Sequence, residues 1–370
     1  MVPRFVLTLL IGAAAWAQEF REHTIATGLI RGYQVIPADM NGDGRPDLIA
    51  LASGMPELVW YENPSWQRHV ITGPFTNMIN VAAHDLDGDG VPELALAYEF
   101  ANVAKNSVGT VAILRFRGGK WTAQEIDRVP TSHRLRWADF LGTGKKVLVN
   151  SVLTGATAEP PDFAAATPLY FYDPKDWKRQ SIPVTNRGVV HGIVVRDWNG
   201  DGKEDVLTAG FTGIDVYRWD GNWKRERVAK GSPADWPKGG SSDVAIGTFG
   251  KERFVAAVEP WHGNMVAVYT GGKRIVIDNA LADGHTIVTA DLDGDGRDEI
   301  IAGCRGGPKA VYVYRFDGKV WGRRALDEGG MPAAACIALD LNGDKRVDIA
   351  CIGAASQTLK WYENRGSTVN

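Results

Sequence analysis

Two sets of residues in this chain have types and spacings that could do chemistry. The first is an acidic loop repeated five times. In Asp291-Leu-Asp293-Gly-Asp295-Gly-Arg297-Asp-Glu299, side-chain oxygens recur at positions 1, 3, 5 and 9, and position 7 offers a backbone carbonyl. Hard oxygen ligands at that spacing suit calcium, and the glycines permit the sharp turn. The same set recurs as Asp39, Asn41, Asp43 and Asp47; as Asp85, Asp87, Asp89 and Glu93; as Asp197, Asn199, Asp201 and Asp205; and as Asp340, Asn342, Asp344 and Asp348. It is not an EF-hand, because position 12 is Ala302 rather than a bidentate glutamate. Lys345 replaces a turn glycine in the last copy, so that site is expected to be weaker. Solvated turns alone would leave so many like charges packed together without a counter-ion. A structural calcium role is therefore the expectation.

The second set is histidine. His133, His191 and His285 each lie six residues before the first loop position, at Asp139, Asp197 and Asp291. Six residues of strand span roughly 20 Å, so these imidazoles belong at the end opposite the acidic loops. The equivalent positions elsewhere are Tyr33, Ile79, Ser241 and Ala334. The stretch "VEPWHGN" (Val258–Asn264) follows the Ser241 strand pair and should bring Glu259 and His262 to the same end. An arc of His133, His191, His262 and His285, with Glu259, Arg134 and Arg305 nearby, offers nitrogen ligands and a carboxylate. That donor set suits zinc or another divalent transition metal with an open position. Such an ion polarises a carbonyl or hydroxyl while a spare histidine moves a proton. The competing reading is polar lining of a wet channel. His23, His69 and His84 read as structural. No nucleophile elbow, phosphate-cradling loop or dinucleotide fingerprint is present.

The elements that position these residues repeat with them. Two worn copies of the acidic unit, Ala138–Asn150 and Ala245–Ala257, fill the gaps and have lost most ligands, so both should be empty. That makes seven units at steps of roughly 44 to 58 residues, near the propeller-repeat range. Each reads as four short strands. One ends at the acidic loop, a second follows at once, and a third alternates with aromatics, as in "VYVYRF" (Val311–Phe316). A fourth carries Lys and Arg, suiting an outer edge that must not pair with neighbours. Trp66, Trp121, Trp177, Trp223 and Trp321 open these fourth strands and should pack between blades. The last unit stops after its third strand, "LKWYEN", and "EFREHTIA" (Glu19–Ala26) resembles the missing fourth. The expected fold is an all-β, seven-bladed β-propeller over 18–370, closed by that N-terminal strand.

Residues 1–17, with Arg4, an apolar run and Ala15-Trp16-Ala17, read as a signal peptide. The mature protein is expected to be secreted or periplasmic, without a membrane span. A net charge of −3 with no basic stripe argues against nucleic acid. Cys336 and Cys351 fall on neighbouring strands, either paired or as buried thiols, and the odd count leaves at least one of three cysteines free.

On the "DxDGDGxxE" loop and the "WYENP" third strand (Trp60–Pro64), the chain resembles the FG-GAP or VCBS repeat family, best known from the integrin α-chain head. That resemblance implies calcium in the hairpins between first and second strands. The same pattern is similar to the propeller domain of aldos-2-ulose dehydratases, fungal enzymes that eliminate water from keto-sugars such as anhydrofructose and also carry cupin domains. It implies a lyase or dehydratase acting on a carbohydrate at the upper channel mouth. The alternative class is a monomeric, non-catalytic module that binds a glycan or an extracellular protein. Fold alone does not choose between them.

Overall fold

The computed structural model describes residues 18–367, so the expected signal peptide lies outside the described residues. Seven four-stranded antiparallel sheets follow one another around a central channel. In the first, Gly32–Ala38 is innermost, followed outward by Asp47–Ala52, Glu57–Glu62 and Gln67–Thr72. The second strands, such as Asp47–Ala52 and Glu299–Cys304, are buried along their whole length. They are sandwiched between neighbouring blades, which is why they read as unbroken apolar runs rather than alternating ones. Outer strands such as Trp223–Ala229 are largely exposed and charged.

The ring closes as the sequence implied. Gln18–Ala26 is the outer strand of the last sheet and pairs antiparallel with Leu359–Ser367. Its side chains repeat the first blade's chemistry. His23 stacks on Trp361 at 4.5 Å and lies 2.8 Å from Glu363, as His69 stacks on Trp60 at 4.0 Å and lies 2.7 Å from Glu62. Both histidines are thus structural.

Tryptophans on outer strands lean on the preceding blade. Trp223 meets Phe140 edge-on at 4.7 Å, Trp66 meets Trp361 at 5.9 Å, and Trp321 meets Phe249 at 5.8 Å. Trp121 and Trp177 pack into the clusters between the first and second and the second and third blades. Cys336 and Cys351 are cross-strand partners and form a disulfide, which resolves the pair toward bonding; Cys304 is free and buried. Among the described residues no helix is long and apolar enough to cross a membrane.

Candidate functional site

Tyr33, His133, His191 and His285 are each the second residue of an innermost strand. At each, the pairing with the next strand slips by one residue. Such a bulge leaves one residue out of the ladder and re-aims its side chain. All four rings meet at the end of the channel away from the acidic loops. His262 joins them from the turn after Glu252–Glu259, with a left-handed backbone (φ 49°) that non-glycine residues seldom adopt.

The rings are close. His191 lies 5.0 Å between centroids from His133 and from His285, and 4.9 Å from His262; His262 lies 5.1 Å from His285. One ring nitrogen each from His191, His262 and His285 falls within a 4.8 Å group. Their far sides are held. His285 Nδ1 donates to the Ala334 carbonyl at 2.6 Å, leaving Nε2 buried with no partner. His191 Nδ1 lies 3.4 Å from Ser242 Oγ. His262 Nδ1 lies 3.2 Å from Asp283 and 3.1 Å from Arg305, while Arg305 grips Asp283 through two bonds of 3.0 Å. Arg305 can only donate to His262 Nδ1, and His262 Nε2 sits 3.3 Å from His191 Nε2.

Converging imidazoles whose far sides are held by other groups are how histidines are arranged for a metal. Two tetrahedral ligand nitrogens on zinc stand about 3.3 Å apart, since Zn–N is about 2.05 Å. The three imidazoles therefore fit a divalent ion. His133 stands beside this group with Nε2 3.0 Å from the Tyr33 hydroxyl, which also accepts from Arg134 at 3.3 Å.

His133, His191 and His285 are only 1%, 2% and 2% exposed. Burial holds all three well below the usual histidine range, with the Arg134 guanidinium adding to the effect. His262 is lowered to about 4 by burial and by Arg305, partly opposed by Asp283. The imidazoles are thus neutral, the state a metal requires. Above them, Phe163 of the long Leu153–Pro168 excursion meets Trp261 edge-on at 5.9 Å, and Trp261 adjoins His262 at 4.9 Å. The excursion leans over the site.

Glu259 must be removed from the expected arc. It is fully buried, but Arg274 holds it at 2.6 Å, and Tyr269 and Ser241 also donate to it. Its carboxylate serves the packing of its own blade, and Asp283 supplies the acidic partner instead. Sequence reading also missed Tyr33 as a site residue, although its register position was the same as that of the histidines. His84 lines the lower channel wall against Trp137.

At the other end, each acidic loop folds around its first aspartate. Asp291 accepts from the backbone of Gly294, Asp295 and Gly296, and Asp39, Asp85, Asp197 and Asp340 do the equivalent. The ninth residues Asp47, Glu93, Asp205, Glu299 and Asp348 are buried, each accepting the second residue's N–H. Burial, with the Asp293 and Asp295 charges, raises Glu299 to about 8, and burial raises Asp205 to about 6. Asp85, Asp87 and Glu93, and likewise Asp291, Asp293 and Asp295, gather within 4.8 Å. Arginines reach into both groups: Arg315 lies 2.6 Å from Asp293, and Arg117 lies 2.9 Å from Asp89. Asp139 still organises its worn loop through Gly144 and Thr143.

The class this fold defines is a seven-bladed β-propeller of four-stranded blades. Residues 23–96 and 291–351 match the FG-GAP-like repeat model. Residues 108–272, which carry His133, His191 and His262, match the model of the aldos-2-ulose dehydratase β-propeller domain. The chain is similar to aldos-2-ulose dehydratase of Phanerodontia chrysosporium, 29% identical over 220 residues. That match covers 50% of this chain and 24% of the relative's length. Two solved structures share the fold. The Dos1 propeller aligns with a TM-score of 0.57 at 11% identity, covering 90% of this chain and 79% of that one. The extracellular domain of a one-component system from B. thetaiotaomicron aligns at 0.59 and 14%, covering 93% and 40%.

Proposed function

We propose that this propeller is a metal-assisted lyase or dehydratase acting on a keto-sugar or a similar carbohydrate at the histidine cluster. The observation that carries the reading is the convergence of one ring nitrogen each from His191, His262 and His285. Similarity to a dehydratase's propeller domain supports the reaction class. A divalent ion at these nitrogens supplies Lewis-acid polarisation of a carbonyl. Elimination beside that carbonyl also needs a proton acceptor. His133, kept neutral by burial and 3.0 Å from the Tyr33 hydroxyl, is the candidate, and the proton it takes would return to the departing hydroxyl, which leaves as water. The Phe163–Trp261 cover limits water at the cluster.

Calcium at the acidic loops is part of the same proposal, with a structural role. The first-position aspartates shape each loop, and the gathering of carboxylates in two of the loops supports the reading. Secretion or a periplasmic location also remains a proposal, to which the Cys336–Cys351 bond lends support.

The experiment combines metal analysis of purified protein with an ultraviolet assay for enone formation on anhydrofructose and related keto-sugars. Zinc or a similar ion should accompany calcium. His191→Ala and His285→Ala should lose that ion and lower turnover by roughly 10²–10⁴-fold. Calcium as the sole metal together with no turnover on any sugar would replace the enzyme with a glycan- or protein-binding module.

A further inference from the structure

Beneath the histidines, the innermost strands of all seven blades enclose a cavity of about 550 Å³. It runs toward the acidic-loop end, where His84 and the Lys146–Glu204 pair line it. Two arginines from one strand, Arg134 and Arg136, face it. Neither forms an ion pair among the described residues. Arg134 Nη1 reaches the Tyr33 hydroxyl at 3.3 Å and its neighbour's carbonyl at 3.4 Å, and its guanidinium lies over the Tyr33 ring at 5.4 Å. Arg136 Nη1 donates to Leu135 O at 2.8 Å and to Asn80 Oδ1 at 3.2 Å. Each leaves most of its five donors unused.

Asp243 is the acid in the upper cavity wall. Its carboxylate accepts from the backbone N–H of Val244 at 3.1 Å and of Ile287 at 3.3 Å. Two cations against one carboxylate leave the upper cavity with one excess positive charge. The surrounding histidines are neutral and offset none of it. Elsewhere in this protein, arginines meet buried carboxylates, as Arg225 and Arg227 meet Asp215 and Arg274 meets Glu259. Desolvation and then the Arg134 charge lower Arg136 to about 10, with Asp243 opposing them. An uncompensated charge in a desolvated cavity is costly unless a counter-ion joins it. Asn80 adds a donor: its Oδ1 is used by Leu135 N and Arg136, while Nδ2 bonds to no group among the described residues.

We propose that the channel below the histidine cluster is an oxyanion-binding chamber, in which Arg134, Arg136 and Asn80 Nδ2 hold a carboxylate or an inorganic oxyanion. This goes beyond the proposed function and does not need a metal at the histidines. The planar forks of two guanidiniums match the flat face of a carboxylate or three oxygens of a phosphate. The cavity is large enough for a monosaccharide acid, so the two sources of this chemistry are a free inorganic anion and an anionic sugar.

The test is calorimetric titration of the full-length protein at low ionic strength with inorganic phosphate, D-glucuronate and, as a neutral control, D-glucose. At least one of the two anions should bind and glucose should not. Phosphate binding without glucuronate assigns the chamber to a free inorganic anion. Glucuronate binding assigns it to sugar acids. Arg136→Gln should weaken the binding by about ten- to hundredfold, the loss of one or two charge-assisted hydrogen bonds. Its metal content should stay that of the parent, which separates failure here from failure of the metal reading. In buffer free of multivalent anions, Arg136→Gln should melt at or above the parent temperature, because an uncompensated charge has gone. Arg134→Gln, titrated in parallel, provides the second variant. Absence of binding by either anion, or undiminished binding in both variants, overturns the proposal.

Discussion

Acid should destabilise this propeller through its histidine cluster, and His262 allows the size of the effect to be worked out. Its folded value is about 4 against an ordinary 6.5. A base whose value is lowered by folding contributes stability above its unfolded value, and this is lost as pH falls toward the folded one. At pH 5 the unfolded chain holds nearly a full proton on this ring and the folded protein about a tenth of one. The linkage expression then gives a loss of about 2 kcal/mol at pH 5, against almost nothing at pH 7.5. Burial is the main cause of the lowering, with the Arg305 and Arg134 cations adding to it and Asp283 opposing it. His133, His191 and His285 push in the same direction, since burial lowers each of them. The assay is urea unfolding from pH 5 to 7.5 on parent and His262→Gln, both stripped with chelator and then resupplied with calcium alone. The variant should lose about 2 kcal/mol less than the parent across that range. Identical pH profiles for the two proteins would refute the burial argument for this ring.

Three further outcomes are expected. Removing calcium should lower the melting temperature, because an ion bound only by the folded state adds about 2.7 kcal/mol per site at a hundredfold excess over Kd; an unchanged melting curve after verified removal would refute structural calcium. In the calcium-free protein, Glu299 at about 8 and Asp205 at about 6 are both raised by burial, so their contribution is present below about pH 4 and is lost as pH rises through those values. Added calcium should reverse that loss at pH 8, and no calcium-dependent gain there would count against these loops as the sites. Deleting Glu19–Ala26 strips the outer strand from the last blade and bares the edge of Leu359–Ser367, so the truncated protein should aggregate or lose much of its stability; a monomer melting like the parent would contradict closure by that strand.

The repeat, the closing strand and the level of the histidines were legible because each is local or periodic. The offset of six residues between His133, His191 or His285 and its loop aspartate fixes a height along one strand, and height survives whatever the blades do. The similarity of "EFREHTIA" to "SWQRHVIT" already contained the His–Glu–Trp arrangement that Glu363 and Trp361 complete. The acidic loops were legible for the same reason, since Asp291 is satisfied by backbone donors three to five residues on.

What the sequence could not supply is which side chains cross the channel and meet. Tyr33 reaches His133 across a separation of 100 residues, and His285 turns its orphaned Nε2 inward only because Ala334 of the next blade takes Nδ1. Glu259 looked available from its position beside His262, yet Arg274 on the blade's outermost strand claims it. Strand register sets the height of a residue, whereas bulges and inter-blade packing set its direction and its partner. Those depend on long-range contacts that exist only once the ring has closed. The same closure turns separate polar residues into a buried histidine cluster above a channel holding two arginines that form no ion pair among the described residues.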